Sequence, residues 1–265
     1  MSTPEKDKKT KWHSPIYRGF QLDLRGENLK FQDNISLSDE ALEIDAVITK
    51  GENVKVEKDI AAIFRGSNIC EFKSETDYFS VNDYSKVFGY TGLYCAFRNV
   101  SMTDVTITIV VTKYPRNLVK FLEQERGLRV QGQGNGIHYI LGDIYPVQIL
   151  KTNNLSDDNL FLKNLRSNLT TIEMKKTLQA LENAGVADKR DAYLACIIKS
   201  NWEIFREVIN MMPELKERFL ETAEQDGWLR DRDLEKAKKL IMRGYSVEDV
   251  AEAMELPVEM LKTSV

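Results

Sequence analysis

Leu42-Glu43-Ile44-Asp45-Ala46-Val47-Ile48-Thr49-Lys50-Gly51, and after a connector Ser67-Asn68-Ile69-Cys70-Glu71-Phe72-Lys73-Ser74-Glu75, are the segments around which the chain is organised. Both have the β-branched, apolar texture of buried strands. Each also carries an acid inside that texture, where a lone charge is expensive. In the second segment Glu71 and Lys73 lie two residues apart, so both side chains leave the same face of the strand. An Asp on one strand and Glu-x-Lys on the next is a donor set able to hold a divalent metal beside a cation. Oxygen ligands suit Mg²⁺, which commonly takes one or two carboxylates and keeps several waters.

Upstream, Pro15 to Leu24 predicts a short helix, with Ile16, Phe20 and Leu24 at four-residue spacing and Asp23 at its end. Leu29-Lys30-Phe31 predicts a short strand. Lys50 to Asn53 is a turn cluster, and the connector beyond it holds a short helix near Ile60 to Phe64. Downstream, Ser80 with Asp83 three residues on marks a helix start. Val87, Tyr90, Leu93, Tyr94 and Phe97 then follow at helical spacing. Asp104 to Thr112 alternates threonine with Val and Ile, a strand signal. Pro115 to Arg126 reads as a helix opened by proline. Strands at Gly127 to Gln131 and His138 to Leu141 flank the Gly132 to Gly136 turn, and Pro146 to Leu150 adds another. This order predicts an α+β fold with a mixed sheet flanked by helices.

From about Ser156 the strand signals stop. Helices are expected from Leu160 to Leu169, Thr171 to Ala184, Asp191 to Met212, Glu214 to Gln225, Leu234 to Arg243, Ser246 to Met254 and Leu256 to Lys262. The expected organisation is a disordered tail over 1–14, the sheet domain over 15–155 and an all-α region over 156–265.

Composition bounds the function. An apolar fraction of 42% over 265 residues is ordinary for a folded protein, and a net charge of -4 gives no global basic field. Binding to nucleic acid therefore requires a local basic groove. Cys70, Cys95 and Cys196 are odd in number and far apart, so neither a disulfide framework nor a zinc site is expected. Met1 to Lys11 is polar and lysine-rich without an apolar stretch behind it, and no apolar run reaches membrane-spanning length. These features predict a cytoplasmic protein with no membrane partner.

Asp45 with Glu71-Phe72-Lys73-Ser74, followed by a Tyr84-to-Tyr94 helix, resembles the PD-(D/E)XK nuclease superfamily. Within it, the run is most similar to the bacterial branch of recombination-promoting nucleases, also called PD-(D/E)XK nuclease family transposases. The resemblance covers residues 15–150 and is best from Leu42 to Tyr94; Ile44 stands where the motif has its proline. It implies a restriction-endonuclease-like sheet and a DNA endonuclease dependent on Mg²⁺, or Mn²⁺, linked to transposition, recombination or defence. It also implies that Asp45 and Glu71, with the carbonyl of Phe72, hold the metal. Lys73 would orient or deprotonate the attacking water and steady charge on the phosphate. Asp23 matches an accessory acid of the branch, a place open also to Glu27 and Glu43, and Glu43 shares the strand face of Asp45. Lys86 and Tyr90, four apart on one helix face, are candidates to face the phosphate.

Blander readings stand beside these. Asp45 is also explained as a strand-end residue bonded to a turn, and Glu71 with Lys73 as a surface ion pair. Tyr84, Tyr90 and Tyr94 fit core packing. His138 fits a structural strand position, and Gly132 to Gly136 a hairpin turn. The C-terminal run from Gly244 resembles a helix-turn-helix tail, with Ser246 capping and Asp249 three residues on. Its would-be recognition helix, Val258 to Val265, offers no Arg, Asn or Gln to base edges, so packing or homo-oligomerisation is expected of it. The alternative to an active enzyme is a catalytically inactive nuclease fold that binds nucleic acid or protein.

Overall fold

A computed structural model describes residues 13–36, 43–184, 192–213, 236–254 and 261. Its centre is a seven-stranded mixed sheet in the order β1-β2-β3-β4-β7-β6-β5. The strands are β1 Leu29–Ser36, β2 Glu43–Lys50, β3 Ser67–Lys73, β4 Val105–Val111, β5 Arg129–Gly134, β6 Ile137–Leu141 and β7 Val147–Lys151. β3, β4 and β7 run parallel; β1 and β2 are antiparallel on one side, β6 and β5 on the other.

The middle strand β4, Val-Thr-Ile-Thr-Ile-Val-Val, is buried along its whole length. A parallel strand covered by helices on both faces is mostly apolar, and any polar group on it needs a partner. The alternating threonines of β4, a strand signal in the sequence, are buried as well. Thr106 and Thr108 donate to the buried Asn68 side-chain oxygen, and Gln148 Nε2 donates to Thr108 Oγ1 at 2.9 Å and to the Ile60 carbonyl at 2.6 Å. The hydroxyls serve a polar network inside the fold, where each needs a partner.

Two helices, α2 Val81–Arg98 and α3 Arg116–Gln124, cover one face of the sheet. The other face is covered by α1 His13–Asp23 and by α4 Leu160–Asn164, α5 Thr171–Asn183, α6 Ala192–Ser200 and α7 Trp202–Asn210. Residue 155 marks the change from strands to helices, but the apolar core runs across it. Phe20, Ile48, Leu150, Phe161, Tyr193 and Phe205 belong to one cluster.

Several boundaries differ from the sequence reading for physical reasons. β1 extends to Ser36 because it pairs with β2 along its length. The single helix expected from Asp191 to Met212 breaks at Asn201. That buried side chain accepts from the Leu169 N–H and donates to the Arg166 carbonyl, both at 2.9 Å. It thereby pins the α4–α5 loop, and Asn201 stands at the N-cap of α7. The expected helices Glu214 to Gln225 and Leu256 to Lys262, with most of Val258 to Val265 and the tail up to Trp12, fall outside the described residues, apart from a helical position at Leu261. Within the C-terminal run, Ser246 caps the helix Val247–Ala253 by accepting from the Asp249 N–H at 3.0 Å. Ala237, Val250, Ala251 and Leu261 form a small cluster of their own. No described helix is long and apolar enough to cross a membrane.

One tie across the α1 side is unusual. Asp23, 3% exposed, accepts from the N–H of Phe161 at 3.0 Å and of Leu162 at 2.6 Å. Burial pushes its carboxyl up to about 7, and the two N–H donors hold back a larger rise. Asp23→Ala leaves both donors unpaired in the core. We expect a loss of about 2 kcal/mol or more in urea unfolding, with a smaller loss for Asp23→Asn, which keeps an acceptor.

Candidate active site

β2 and β3 bring Asp45 and Glu71 together. Their antiparallel pairing runs from Thr49 opposite Ser67 to Ala46 opposite Cys70, and one step further Asp45 faces Glu71. At that step the backbone ladder gives way to a side chain: the Phe72 N–H donates to Asp45 Oδ2 at 3.1 Å. A strand residue presents its N–H and C=O to the same side, so the Phe72 carbonyl also leaves β3 toward β2. Strand alternation places Glu71 and Lys73 on the face shared with Ile69, toward α2, while Cys70 and Phe72 enter the opposite core.

The electrostatics of the pair are strained. Burial pushes the Glu71 carboxyl up to about 8; the Asp45 charge and a carboxyl–carboxyl hydrogen bond with Asp45 raise it further, and Lys73 partly offsets them. Like charges this close cannot both ionise cheaply. Lys73 is held from the other side: its Nζ lies 3.1 Å from Asp83 Oδ1. Burial pulls the amine down, but the Asp83 contact outweighs it and the net shift is upward.

Asp83 has a second task. Its Oδ2 accepts from the Ser80 N–H at 2.8 Å and from Ser80 Oγ at 2.6 Å, closing the capping box that starts α2. Burial pushes Asp83 up, yet the Ser80 donors and Lys73 bring it below the usual carboxylate range. Further along, Tyr84 OH donates to Asp143 Oδ2 at 2.8 Å, and Arg126 pairs with Asp143 at 3.5 Å. These contacts fix α2 to the β6–β7 loop, and so fix the helix start that holds Lys73. The Ser80–Asp83 spacing signals a helix cap in the sequence. Nothing local in the sequence signals that Asp83 reaches Lys73.

The other expected site residues are dispersed. Asp23 lies across the sheet, spent on the start of α4, which corrects its expected place beside the metal. Glu27 accepts from the Glu57 N–H at 3.2 Å. Glu43 is exposed at the start of β2. Lys86 is exposed on α2, and Tyr90 packs partly buried on the α2-side core. Tyr84 and Tyr94 are core residues, and His138 occupies a strand position on β6 with its ring against Tyr114. The hairpin expected at Gly132 to Gly136 joins β5 and β6, but β5 runs on to Gly134 and the turn itself is Asn135-Gly136. Among the described residues no group of three or more His, Cys, Asp or Glu side chains is arranged to hold a metal. The acids at the site are the Asp45–Glu71 pair, with Asp83 on the far side of Lys73. Family models, curated proteins and solved structures give no match to this chain.

The raised Glu71 carboxyl sets a pH dependence. The fold binds this proton more tightly than the unfolded chain does. Its stabilising contribution is present at low pH and is lost as pH rises from the ordinary Glu range, about 4.3, to about 8. In chelator, wild-type melting temperature should fall more steeply across that window than that of Glu71→Gln. Overlapping curves from the two proteins would contradict the strained pair.

Proposed function

We propose that this chain is a metal-dependent DNA endonuclease of the PD-(D/E)XK kind, built on a restriction-endonuclease-like fold. The carrying observation is the contact of two carboxylates from neighbouring strands, beside an amine held on α2. The mixed sheet with a parallel centre, α1 before it and α2 directly after Glu71-Phe72-Lys73, supports the same reading.

The residues present fit a magnesium ion. Asp45 and Glu71 repel each other when both are charged, and a divalent cation turns that repulsion into attraction. Two carboxylates with a carbonyl and waters make an ordinary Mg²⁺ set. The ligands would be Asp45, Glu71 and the Phe72 carbonyl; Mn²⁺ suits the same oxygens. When bound, the ion supplies an acidified water and charge compensation at the phosphate.

The chain's own groups do the rest. The Phe72 N–H fixes the orientation of the Asp45 carboxylate. Asp83 holds the Lys73 ammonium at the end of β3, where it orients the attacking water and offsets the charge that develops on the phosphoryl oxygens. The capping box and the Tyr84–Asp143 contact keep that ammonium in place without reorganisation. Lys86, exposed on the same helix, adds positive charge on the approach of the substrate. DNA is the proposed substrate, and the C-terminal helices are the proposed site of any self-association.

Purified protein with Mg²⁺ should convert supercoiled plasmid to the nicked form, and EDTA should stop it. Asp45→Ala and Lys73→Ala should each lower the rate by about 10²-fold or more. Asp83→Asn, which keeps the cap but removes the charge opposite Lys73, should fall between them and wild type. Equal nicking by wild type, Asp45→Ala and Lys73→Ala would assign the activity to a contaminant and end this reading.

A further inference from the structure

The parallel strands at the centre of the sheet each run out into a lysine. Lys73 ends β3, Lys151 ends β7, and Lys113 lies just past Val111 at the end of β4. The register sets Lys73 beside Val111 and Val111 beside Lys151. Residues paired in this way share a face, so Lys73 and Lys151 leave the sheet on the side of Ile109 and Ile149, under α2 and α3. Two strand spacings separate them, about 10 Å between backbones.

Asp83 partly neutralises Lys73, whereas the other lysines have uncharged partners. Lys113 Nζ donates to the Thr76 carbonyl at 3.5 Å, and Lys151 Nζ donates to Asn154 Oδ1 at 2.9 Å. Among the described residues neither has an acid within ion-pairing distance. The β5–β6 hairpin fastens Lys151: its N–H donates to the Gly136 carbonyl at 2.8 Å. Gly136 sits at φ 75, where a Cβ would come within 2.6 Å of the Lys151 carbonyl. Beside this row the Tyr114 and His138 rings lie 4.6 Å apart. Burial holds His138 below the usual imidazole range, so the ring is an uncharged surface at neutral pH.

We propose that Lys113 and Lys151 form a track for the phosphate backbone of a nucleic-acid strand leaving the Asp45–Glu71 centre, with Tyr114 and His138 offering ring surface to a base. The direction of the track rests on the nuclease reading; the binding itself does not. Ligands of open α/β sheets bind at the carboxyl ends of parallel strands, and this row occupies those ends. A strand advances about 3.4 Å per nucleotide, so the span from Lys73 to Lys151 matches about three nucleotides. Lys113 and Lys151 also add the local positive charge that a chain of net charge -4 needs in order to hold DNA.

The test is fluorescence anisotropy with labelled single-stranded and duplex DNA, in Ca²⁺ or EDTA so that nothing is cut. Lys113→Gln/Lys151→Gln is compared with Lys175→Gln/Lys199→Gln, which removes the same charge from exposed positions on α5 and α6. The track predicts about a tenfold loss of affinity for the first double variant only. Its dependence of log affinity on log salt should be shallower by about 2, one unit per lost phosphate contact. In cleavage assays KM should rise while kcat holds. Unchanged affinity and salt slope, equal losses in both double variants, or no DNA binding by wild type at low salt would overturn the track. Binding that follows this pattern without cleavage in any metal would leave the track standing and remove the nuclease reading.

Discussion

The register of β2 on β3 is the constraint on which the site depends. Pairing Ala46 with Cys70 puts Asp45 opposite Glu71 at the last step of the ladder. A slip of one residue would reverse every side chain on β2 and send Asp45 toward the α1 core. Ala46, Val47 and Ile48 are fully buried, with neighbours on opposite faces, so the strand has little freedom to slide. The Phe72 N–H bond to Asp45 adds a polar lock at the end of the same ladder.

Among the described residues two acids, Asp23 and Glu71, are raised by burial, and their surroundings separate their roles. Asp23 is answered by two N–H donors from the start of α4, so the fold itself satisfies it. Glu71 faces another carboxyl, and its nearest cation is shared with Asp83. A satisfied buried acid is a structural tie. An acid pressed against another acid stores unfavourable energy that a bound cation relieves, and arrangements of this kind gather at functional sites. The contrast makes Asp45 and Glu71 the candidate centre and leaves Asp23 to the framework.

The helices after residue 155 complete the framework. α4 to α7 join α1 in the apolar cluster on one side of the sheet. The Asn201 contacts and the Asp23 bonds both reach the α4 region, so the helical layer is fastened at each end of α4. The opposite layer carries the candidate site: α2 presents Asp83 to Lys73, and the Tyr84–Asp143 bond holds that helix against the β6–β7 loop. Stability and site are thus divided between the two faces of one sheet.

Strand and helix positions are legible in the sequence wherever periodicity and caps are local properties. The Val-Ile run of β4, the Ser80 and Ser246 caps and the β5–β6 turn all follow from neighbouring residues. The pairing of Asp45 with Glu71-x-Lys73 is legible as a motif because two short strands carry it. Three assignments require the folded chain. Asp23 reads as a site acid only through the resemblance, and nothing near it in the sequence points to α4, which begins far along the chain at Leu160. Asp83 looks like a cap alone, and its contact with Lys73 depends on where α2 docks. The lysines after β3, β4 and β7 are scattered along the chain and form a row only through parallel strand register. Local pattern fixes what each segment becomes, because propensity and capping act over a few residues. Which charges meet is decided by strand order and register, which act across the whole chain.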